Sequence, residues 1–239
     1  MKNLNKKKLI IPTSLKPVIL YRINGVQEIE IKVKPGVKAE VLILNNFQKP
    51  RIESFLKINI KLYQNSKLNF VEGISGGQVI ETRSVVKLLG SGAECQVTNM
   101  FQGNKNEQHV FQILIDHQSP NTKANVLVKA VYKNHASGKF QSLIKVGQKA
   151  KKTNSYYQDE VLLLDSAKAI SSPTLEILTD DVKASHGSSV SRINRDQVYY
   201  LASRGLDFEQ ARECITAGFF TSVIARLPKA FCQPFLFKE

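Results

Sequence analysis

The stretch Val26-Gln27-Glu28-Ile29-Glu30-Ile31-Lys32-Val33 alternates charged and apolar residues strictly from Glu28 onward. This period of two is the signature of a β-strand that buries one face. Lys57-Ile58-Asn59-Ile60-Lys61-Leu62-Tyr63 repeats the pattern. Looser versions of it follow at residues 79–89, 96–101, 110–115 and 125–131. Glycine and small polar residues separate the segments, which predicts short strands joined by turns from about residue 18 to residue 177.

No helical period interrupts these segments, and this excludes a doubly wound α/β fold, which needs helices between its parallel strands. A β-sandwich, a β-barrel and a β-solenoid remain. The strands are too numerous for one small sandwich, and small residues recur at the turns, so the stacked coils of a solenoid are favoured. No clean repeat period can be read, so the residue pattern leaves all three folds open.

The pattern becomes helical near Asn194. Asn194-Arg195-Asp196-Gln197 places a capping side chain three residues before a glutamine, which predicts a helix start, and Gly205 predicts the helix end. Asp207-Phe208-Glu209-Gln210 repeats the capping pattern and predicts a second helix that ends at Gly218. A third short helix is predicted over residues 219–227, just before a proline.

The sequence thus predicts two regions, a β core over residues 1–190 and a helical region with a tail over residues 191–239. Three short helices cannot bury much apolar surface by themselves. Their apolar residues must pack on the β core or on a partner, and the clearest examples are Phe219, Phe220, Val223 and Ile224. Cys214 is predicted on the apolar side of the second helix.

Composition limits the classes of function. The chain has 239 residues, 42% of them hydrophobic, and its sequence contains no apolar run near the ~18 residues of a membrane span. No secretory signal is evident, and the three cysteines form no C-x-x-C motif, so we expect a cytoplasmic protein without disulfides. The net charge of +14 is compatible with nucleic-acid binding, but the lysines are spread along the chain, which argues against that function.

No catalytic motif can be read, and we expect no enzyme. None of the four histidines has a metal-binding spacing: His109, His117, His135 and His186. His186 differs from the others because its neighbours are small, so another chain could approach it closely. From the residues alone it is either a turn histidine with local hydrogen bonds or an iron ligand that uses a neutral ring nitrogen.

Several segments together resemble the SufB/SufD family of iron–sulfur cluster assembly proteins, and SufD more than SufB. The resemblance covers roughly residues 85–227. It is strongest from Pro173-Thr174-Leu175-Glu176-Ile177 through Asp180-Asp181-Val182-Lys183-Ala184-Ser185-His186-Gly187-Ser188-Ser189. It continues in Tyr200-Leu201-Ala202-Ser203-Arg204-Gly205-Leu206 and Ala217-Gly218-Phe219-Phe220.

The resemblance implies a right-handed parallel β-helix core, a small C-terminal helical region and no catalytic activity. It implies pairing through the β-helix with a SufB-like subunit, or with a second copy, and binding of a SufC-like ABC-type ATPase by the helical region. Candidate residues for the ATPase are Tyr200, Arg204, Gly205, Gly218, Phe219 and Phe220. His186 matches a histidine at the subunit interface, where it would share a transient iron–sulfur cluster with the partner; this chain alone is expected to bind no cluster.

Two departures from the family pattern stand out. Ala184 occupies the position, two residues before His186, where the family usually has a cysteine. Typical members also have an N-terminal helical region, for which this sequence shows no pattern. Two other functions stay open as alternatives, a carbohydrate-active β-solenoid and a nucleic-acid-binding β-solenoid.

Overall fold

The computed structural model describes residues 6–11, 18–21, 28–47 and 53–224. In chain order the elements are β1 (Lys6–Ile11), β2 (Val18–Tyr21), β3 (Glu28–Val33), β4 (Lys38–Phe47), β5 (Glu53–Leu62), β6 (Lys67–Gly76), β7 (Val79–Leu88), β8 (Glu94–Gly103), β9 (Gln108–His117), β10 (Lys123–Tyr132), β11 (Ser137–Val146), β12 (Thr153–Leu163), β13 (Lys168–Ile177), β14 (Val182–Arg192), α1 (Arg195–Ser203) and α2 (Phe208–Ile224). The first strand begins earlier than the sequence pattern predicted.

Successive strands alternate between two parallel sheets. The odd-numbered strands form one seven-stranded sheet in the order β1-β3-β5-β7-β9-β11-β13, and the even-numbered strands form the other in the order β14-β12-β10-β8-β6-β4-β2. One odd and one even strand therefore make one coil, and each coil stacks on the next. The predicted β-solenoid with C-terminal helices is confirmed, and the sandwich and the barrel are excluded.

The most common coil length is 29 residues, measured as the sequence separation between register partners on neighbouring coils. Glu28 pairs with Lys57, Val79 with Gln108, and Thr153 with Val182, each an offset of 29. Other coils differ: the offset is 26 from Glu53 to Val79 and 31 from Lys123 to Asn154. The sequence showed no clean period because the turns, rather than the strands, absorb these differences.

Left-handed backbone recurs in the turns of the coils, and in the turns before the even-numbered strands it falls two residues before the same register position. The φ angles there lie between 53° and 72°, at Gly36, Asn65, Gly92, Asn121 and Lys152. Glycine and asparagine adopt this conformation at low cost, so their recurrence in these turns fits the turn geometry. The stacked turns thus explain four of the glycine and asparagine residues that separate the strands in the sequence.

The core lies between the two sheets and is built from alternate residues of each strand. Phe101, Phe111 and Phe140 are fully buried, with ring centroids 5.2 Å apart for Phe101 and Phe111 and 5.6 Å apart for Phe101 and Phe140. Each such side chain contributes about 1.5–3 kcal/mol through burial. Neighbouring coils share these aromatic contacts, so no coil has a complete core of its own.

The helical region confirms the predicted caps but not the predicted helix count. The Asn194 side chain accepts a hydrogen bond from the Asp196 amide at 2.8 Å, and Gly205 has a φ of 99°. Asp207 accepts from the Gln210 amide at 2.8 Å while the Gln210 side chain accepts from the Asp207 amide at 3.0 Å. The predicted break at Gly218 and the separate third helix are wrong, since α2 continues through Gly218.

The continuity of α2 follows from its packing on the outer face of the even-numbered sheet. Phe220 and Val223 are buried there, and Ile215, Phe219 and Ile224 are partly buried beside them. Their partners on the sheet are Leu42, Leu44, Val71, Met100, Leu127, Val131, Leu162 and Leu164. This burial outweighs the cost of about 1 kcal/mol that glycine has inside a helix. The requirement that the apolar helical residues pack on the β core is confirmed.

Lys129 of β10 fixes α2 to the sheet. Its Nζ donates to the Phe219 carbonyl at 2.9 Å, lies 4.4 Å from the centre of the Phe219 ring and is 2.9 Å from Glu160 Oε2. The Lys129 side chain is only 9% exposed, so these contacts replace most of the water around its charge. The amine therefore joins two strands and the helix.

A carboxyl–amide pair lies inside the core on adjacent coils. Glu72 of β6 and Asn99 of β8 are register partners and are fully buried, and Asn99 Nδ2 donates to Glu72 Oε2 at 2.7 Å. The remaining oxygens, Glu72 Oε1 and Asn99 Oδ1, are both acceptors and have no donor in the described part of the chain. Burial raises the pKa of Glu72 to about 8, and a neutral carboxylic acid supplies the donor that Asn99 needs.

We predict that Glu72 makes the free energy of unfolding fall as pH rises from the ordinary pKa of 4.5 to about 8. The folded state holds a proton there that the unfolded state has lost, so the contribution is complete below 4.5 and is lost through about 8. Relative to Glu72→Gln, which keeps the shape and cannot ionise, the wild type should lose up to about 1.4 kcal/mol per pH unit. Urea unfolding at several pH values measures this difference, and parallel curves for the two proteins would contradict it.

We predict that Lys129→Met destabilises the fold by about 1–3 kcal/mol, because the Phe219 carbonyl and Glu160 lose a shared charged donor. Thermal unfolding measures the loss, and hydrogen exchange should show it first in α2. Lys145→Met is the matched control, since the Lys145–Glu176 pair spans 2.6 Å between side chains that are 40% and 42% exposed. Exposed pairs contribute about 0–1 kcal/mol. Equal losses in both variants would argue against a special role for Lys129.

Candidate functional site

Among the residues that the structure describes, no strand follows the last strand of either sheet, so one end of the solenoid is open there. β13 pairs with β11 and β14 pairs with β12, and each is the final strand of its sheet. We call these two strands the open end. Apolar side chains are exposed there, Ile170 at 64% and Val190 at 43%, and Leu178, which directly follows β13, is 54% exposed. Unpaired strand edges beside exposed apolar groups favour the addition of another chain.

His186 lies at the open end, within β14. It is the register partner of Tyr157, whose ring is fully buried in the core, so the imidazole belongs to the inner face of its strand. It is nevertheless exposed, because β14 is the last strand of its sheet. The interpretation of His186 as a turn histidine is wrong, since the turn ends before Val182.

Ala184 lies on the same inner face, two residues before His186 and half-buried. A cysteine at this position would place its thiol beside the imidazole. In this chain a methyl group stands there instead. Groups of three or more histidine, cysteine or acidic side chains that could hold a metal are absent from the residues that the structure describes. The open end therefore offers an imidazole but no complete ligand set.

Asp159 of β12 lies beneath Ser188, diagonal to His186, and was missed in the sequence. The side chain is fully buried, and its oxygens accept 2.8 Å hydrogen bonds from Ser171 of β13 and Ser188 of β14. Burial raises the pKa of Asp159, while the hydrogen bonds from the Ser188 and Ser171 hydroxyls oppose that rise. The available signal was the alternation of β12, which places Asp159 on the inward face.

Two other histidines have structural roles. His117 has its ring nitrogens 2.8 Å from Thr122 Oγ1 and 3.1 Å from Ser155 Oγ, and His109 Nε2 lies 3.1 Å from the Gly76 carbonyl. Burial lowers the pKa of each to about 4, so both are neutral near pH 7. Neither side chain faces the open end.

The cysteines do not form a site. Cys95 is buried, and burial raises its pKa to about 12, which suppresses the reactive thiolate. Cys214 is exposed, so the prediction that it lies on the apolar side of the helix is wrong. The α2 face that packs on the sheet is instead centred on Phe220 and Val223. Cys232 lies outside the described residues.

A groove of about 870 Å³ separates α1, α2 and the end of β14. It brings together three predicted ATPase-binding residues, Tyr200, Gly218 and Phe219. Tyr200 is 58% exposed, and the Arg204 guanidinium lies 5.3 Å from its ring centre. The polar residues that line the groove come from the end of β14 and the start of α1: Ser191, Arg192, Asn194, Asp196 and Gln197.

The remaining predicted ATPase-binding residues lie elsewhere. Phe220 is only 5% exposed and packs on the sheet, so its side chain does not reach the surface. Gly205 forms the turn between the helices. Tyr199 and Phe208 were missed: they are 60% and 55% exposed and meet edge to face at 5.7 Å. The sequence pattern gave no sign of this pair because the residues lie in different helices.

The lysine-rich surface is interrupted by acidic side chains. Glu94 lies 2.8 Å from Lys67 and 3.7 Å from Lys123, and Glu30 lies 3.1 Å from Lys61. These ion pairs join neighbouring strands, so negative charges lie between the lysines on the surface. The arrangement differs from the continuous basic patch of a nucleic-acid-binding surface. Within the described residues, no helix has the length and apolar character needed to cross a membrane.

A comparison with known families identifies the class to which this architecture belongs. Residues 24–219 match the family model for the SufBD core domain of SUF system FeS cluster assembly. Because the match covers most of the sequence, the chain belongs to the SufBD family, and the resemblance is confirmed at the family level.

Individual relatives agree with this assignment. Proteins named iron-sulfur cluster assembly SufBD family protein in Staphylococcus aureus and Staphylococcus epidermidis are 27% and 26% identical to this chain over 171 residues. The alignments cover 71% of this chain but only 37% of each relative. The chain thus matches little more than a third of the length of these relatives.

Proposed function

We propose that this chain is a SufD-like scaffold subunit of an iron–sulfur cluster assembly complex and catalyses no reaction itself. The main observation behind this proposal is the open end. There a SufBD-family solenoid presents His186 on an edge strand that has a partner on one side only, within the described residues. A SufB-like subunit would pair with that end, and a SufC-like ATPase would bind the helical region. We expect the complex to work in the cytoplasm.

The open end is suited to pairing with another solenoid. β14 has eleven residues and no proline, so all of the alternate amides that point away from β12 can donate to an added strand. The small side chains around His186 allow close approach, and Ile170 and Val190 supply apolar area. A SufB-like subunit is the favoured occupant because His186 and Ala184 leave the ligand set incomplete; a second copy would repeat the same deficiency.

The groove beside α1 and α2 is suited to an ATPase partner. Its lining combines apolar area from Leu201, Ile215 and Phe219 with the charged Arg192 and Asp196. Lys129 holds α2 on the sheet, so the groove has a firm base. A partner bound here would lie beside the end of β14, close to the strand that carries His186.

The cluster itself would be cargo at the interface between subunits. A neutral imidazole is a suitable ligand for iron, and thiolates suit iron–sulfur clusters best. This chain supplies the imidazole of His186, so the thiolates must come from the partner. This division explains why the family cysteine can be replaced by Ala184 without loss of the scaffold.

We predict that His186→Ala lowers the cluster content of the complex at least several-fold without reducing its assembly. The chain is co-expressed with SufB-like and SufC-like partners and purified without oxygen, and iron, sulfide and the visible spectrum are measured. His135→Ala is the control, because His135 is an exposed histidine in a turn away from the open end. Equal cluster content in all three proteins would remove His186 from the mechanism, and failure to form a complex would refute the scaffold.

We predict that Tyr200→Ala weakens capture of the SufC-like ATPase about tenfold, because a large aromatic side chain in a groove commonly dominates binding. Tyr199→Ala is a closely matched control, since Tyr199 is equally exposed but does not line the groove. Titration of the ATPase against the immobilised chain measures both affinities. The groove assignment fails if Tyr199→Ala has the larger effect or if neither variant changes binding.

A further inference from the structure

The side chain of Asp159 connects the two strands of the open end from the inner face of the solenoid. Asp159 Oδ1 accepts a 2.8 Å hydrogen bond from Ser171 Oγ, and Asp159 Oδ2 accepts one of 2.8 Å from Ser188 Oγ. Ser171 lies on β13 and Ser188 on β14, so the two hydrogen bonds reach both sheets. We call this three-residue arrangement the serine bridge.

The serine bridge acts where backbone support is weakest. β13 and β14 each have a neighbouring strand on one side only, whereas an interior strand has one on each side. The inner faces of the two strands are also less completely packed, as most of their side chains are partly or fully exposed. Asp159 uses both of its carboxyl oxygens, so the bridge adds two contacts between strands that have each lost one neighbour.

The bridge also fixes the surroundings of His186. The register places Tyr157 opposite His186 and Asp159 opposite Ser188, so His186 and Ser188 are successive residues on the inner face of β14. A hydrogen bond that holds Ser188 therefore restrains the strand two residues from the imidazole.

We propose that Asp159 is the positioning residue of the open end: through Ser171 and Ser188 it holds the two edge strands, and with them His186, in the geometry that receives a partner. The use of this geometry for pairing rests on the proposed function, whereas the restraint on the strands does not. Asp159 acts through the serines and touches neither partner nor cluster.

The test compares three substitutions in the free full-length chain by hydrogen exchange with mass spectrometry. Asp159→Leu removes both hydrogen bonds and keeps a side chain that branches at Cγ. Asp159→Asn keeps an oxygen for one serine and an amide donor for the other, so it should preserve the bridge without the charge. Ser84→Ala is the control, because Ser84 is a buried core serine whose hydroxyl has no partner in the described part of the chain.

We expect about tenfold faster exchange in β13 and β14 for Asp159→Leu, and near wild-type exchange for Asp159→Asn and Ser84→Ala. The midpoint of global unfolding should change little in Asp159→Leu, because only the last strand of each sheet depends on the bridge and the partly exposed Ser171 and exposed Ser188 hydroxyls can bond to water instead. A local loosening without global loss is the signature of a positioning role.

Unchanged exchange in Asp159→Leu, or equal loosening in Asp159→Asn, would overturn the proposal. Partner affinity is then measured for the same variants with a SufB-like subunit, and we expect it to fall only for Asp159→Leu. If the exchange results hold but no variant or wild type binds a partner, the proposed function fails while the positioning role of Asp159 stands.

Discussion

The structure depends on the hydrogen bonding of each strand to its equivalents one coil before and one coil after. A single coil of 29 residues cannot bury its inner face or satisfy its backbone groups. Stacking solves both problems at once, because every added coil completes the one beneath it. The same rule leaves a deficit at the last coil, and in this molecule that deficit coincides with His186.

Buried polar groups in the solenoid follow one physical principle in three places. The carboxyl of Glu72 is paired with an amide, Asp159 with two hydroxyls and Lys129 with a carbonyl and a carboxylate. Each costs desolvation energy and is retained with specific partners. The first pair joins adjacent coils, the second joins the two sheets and the third joins a helix to a sheet. Apolar packing alone does not specify which strand or helix contacts which. These polar contacts do, because each buried polar group needs a particular partner.

Much of the fold was predictable because its signals are local. The alternation in Glu28–Val33 gives β3, and Asn194 and Asp207 mark both helix starts. The coil length was hidden because turns of different length interrupt the 29-residue register. The continuity of α2 through Gly218 was also hidden, because it depends on burial of Phe220 against strands far away in sequence.

The site was predictable only in part. His186 was identified through its sequence context, but its place on an edge strand rather than in a turn required the register with β12. Asp159 carries no motif, and its importance appears only when Ser171 and Ser188 are brought to it from two sheets. Sequence patterns report which face a side chain occupies; they do not report which distant residues share that face.

Strand β12 has a consequence that concerns how motion would pass through the molecule. Asp159 and Glu160 are consecutive and face opposite sides, so Asp159 holds the two edge strands from within while Glu160 meets the lysine that anchors α2 from outside. The contact that anchors α2 and the contact that restrains the open end are therefore made by adjacent residues, Glu160 and Asp159. A bound protein that displaced α2 would change the contact between Lys129 and Glu160. Because Asp159 is the next residue, the same displacement would act on the position of the edge strands.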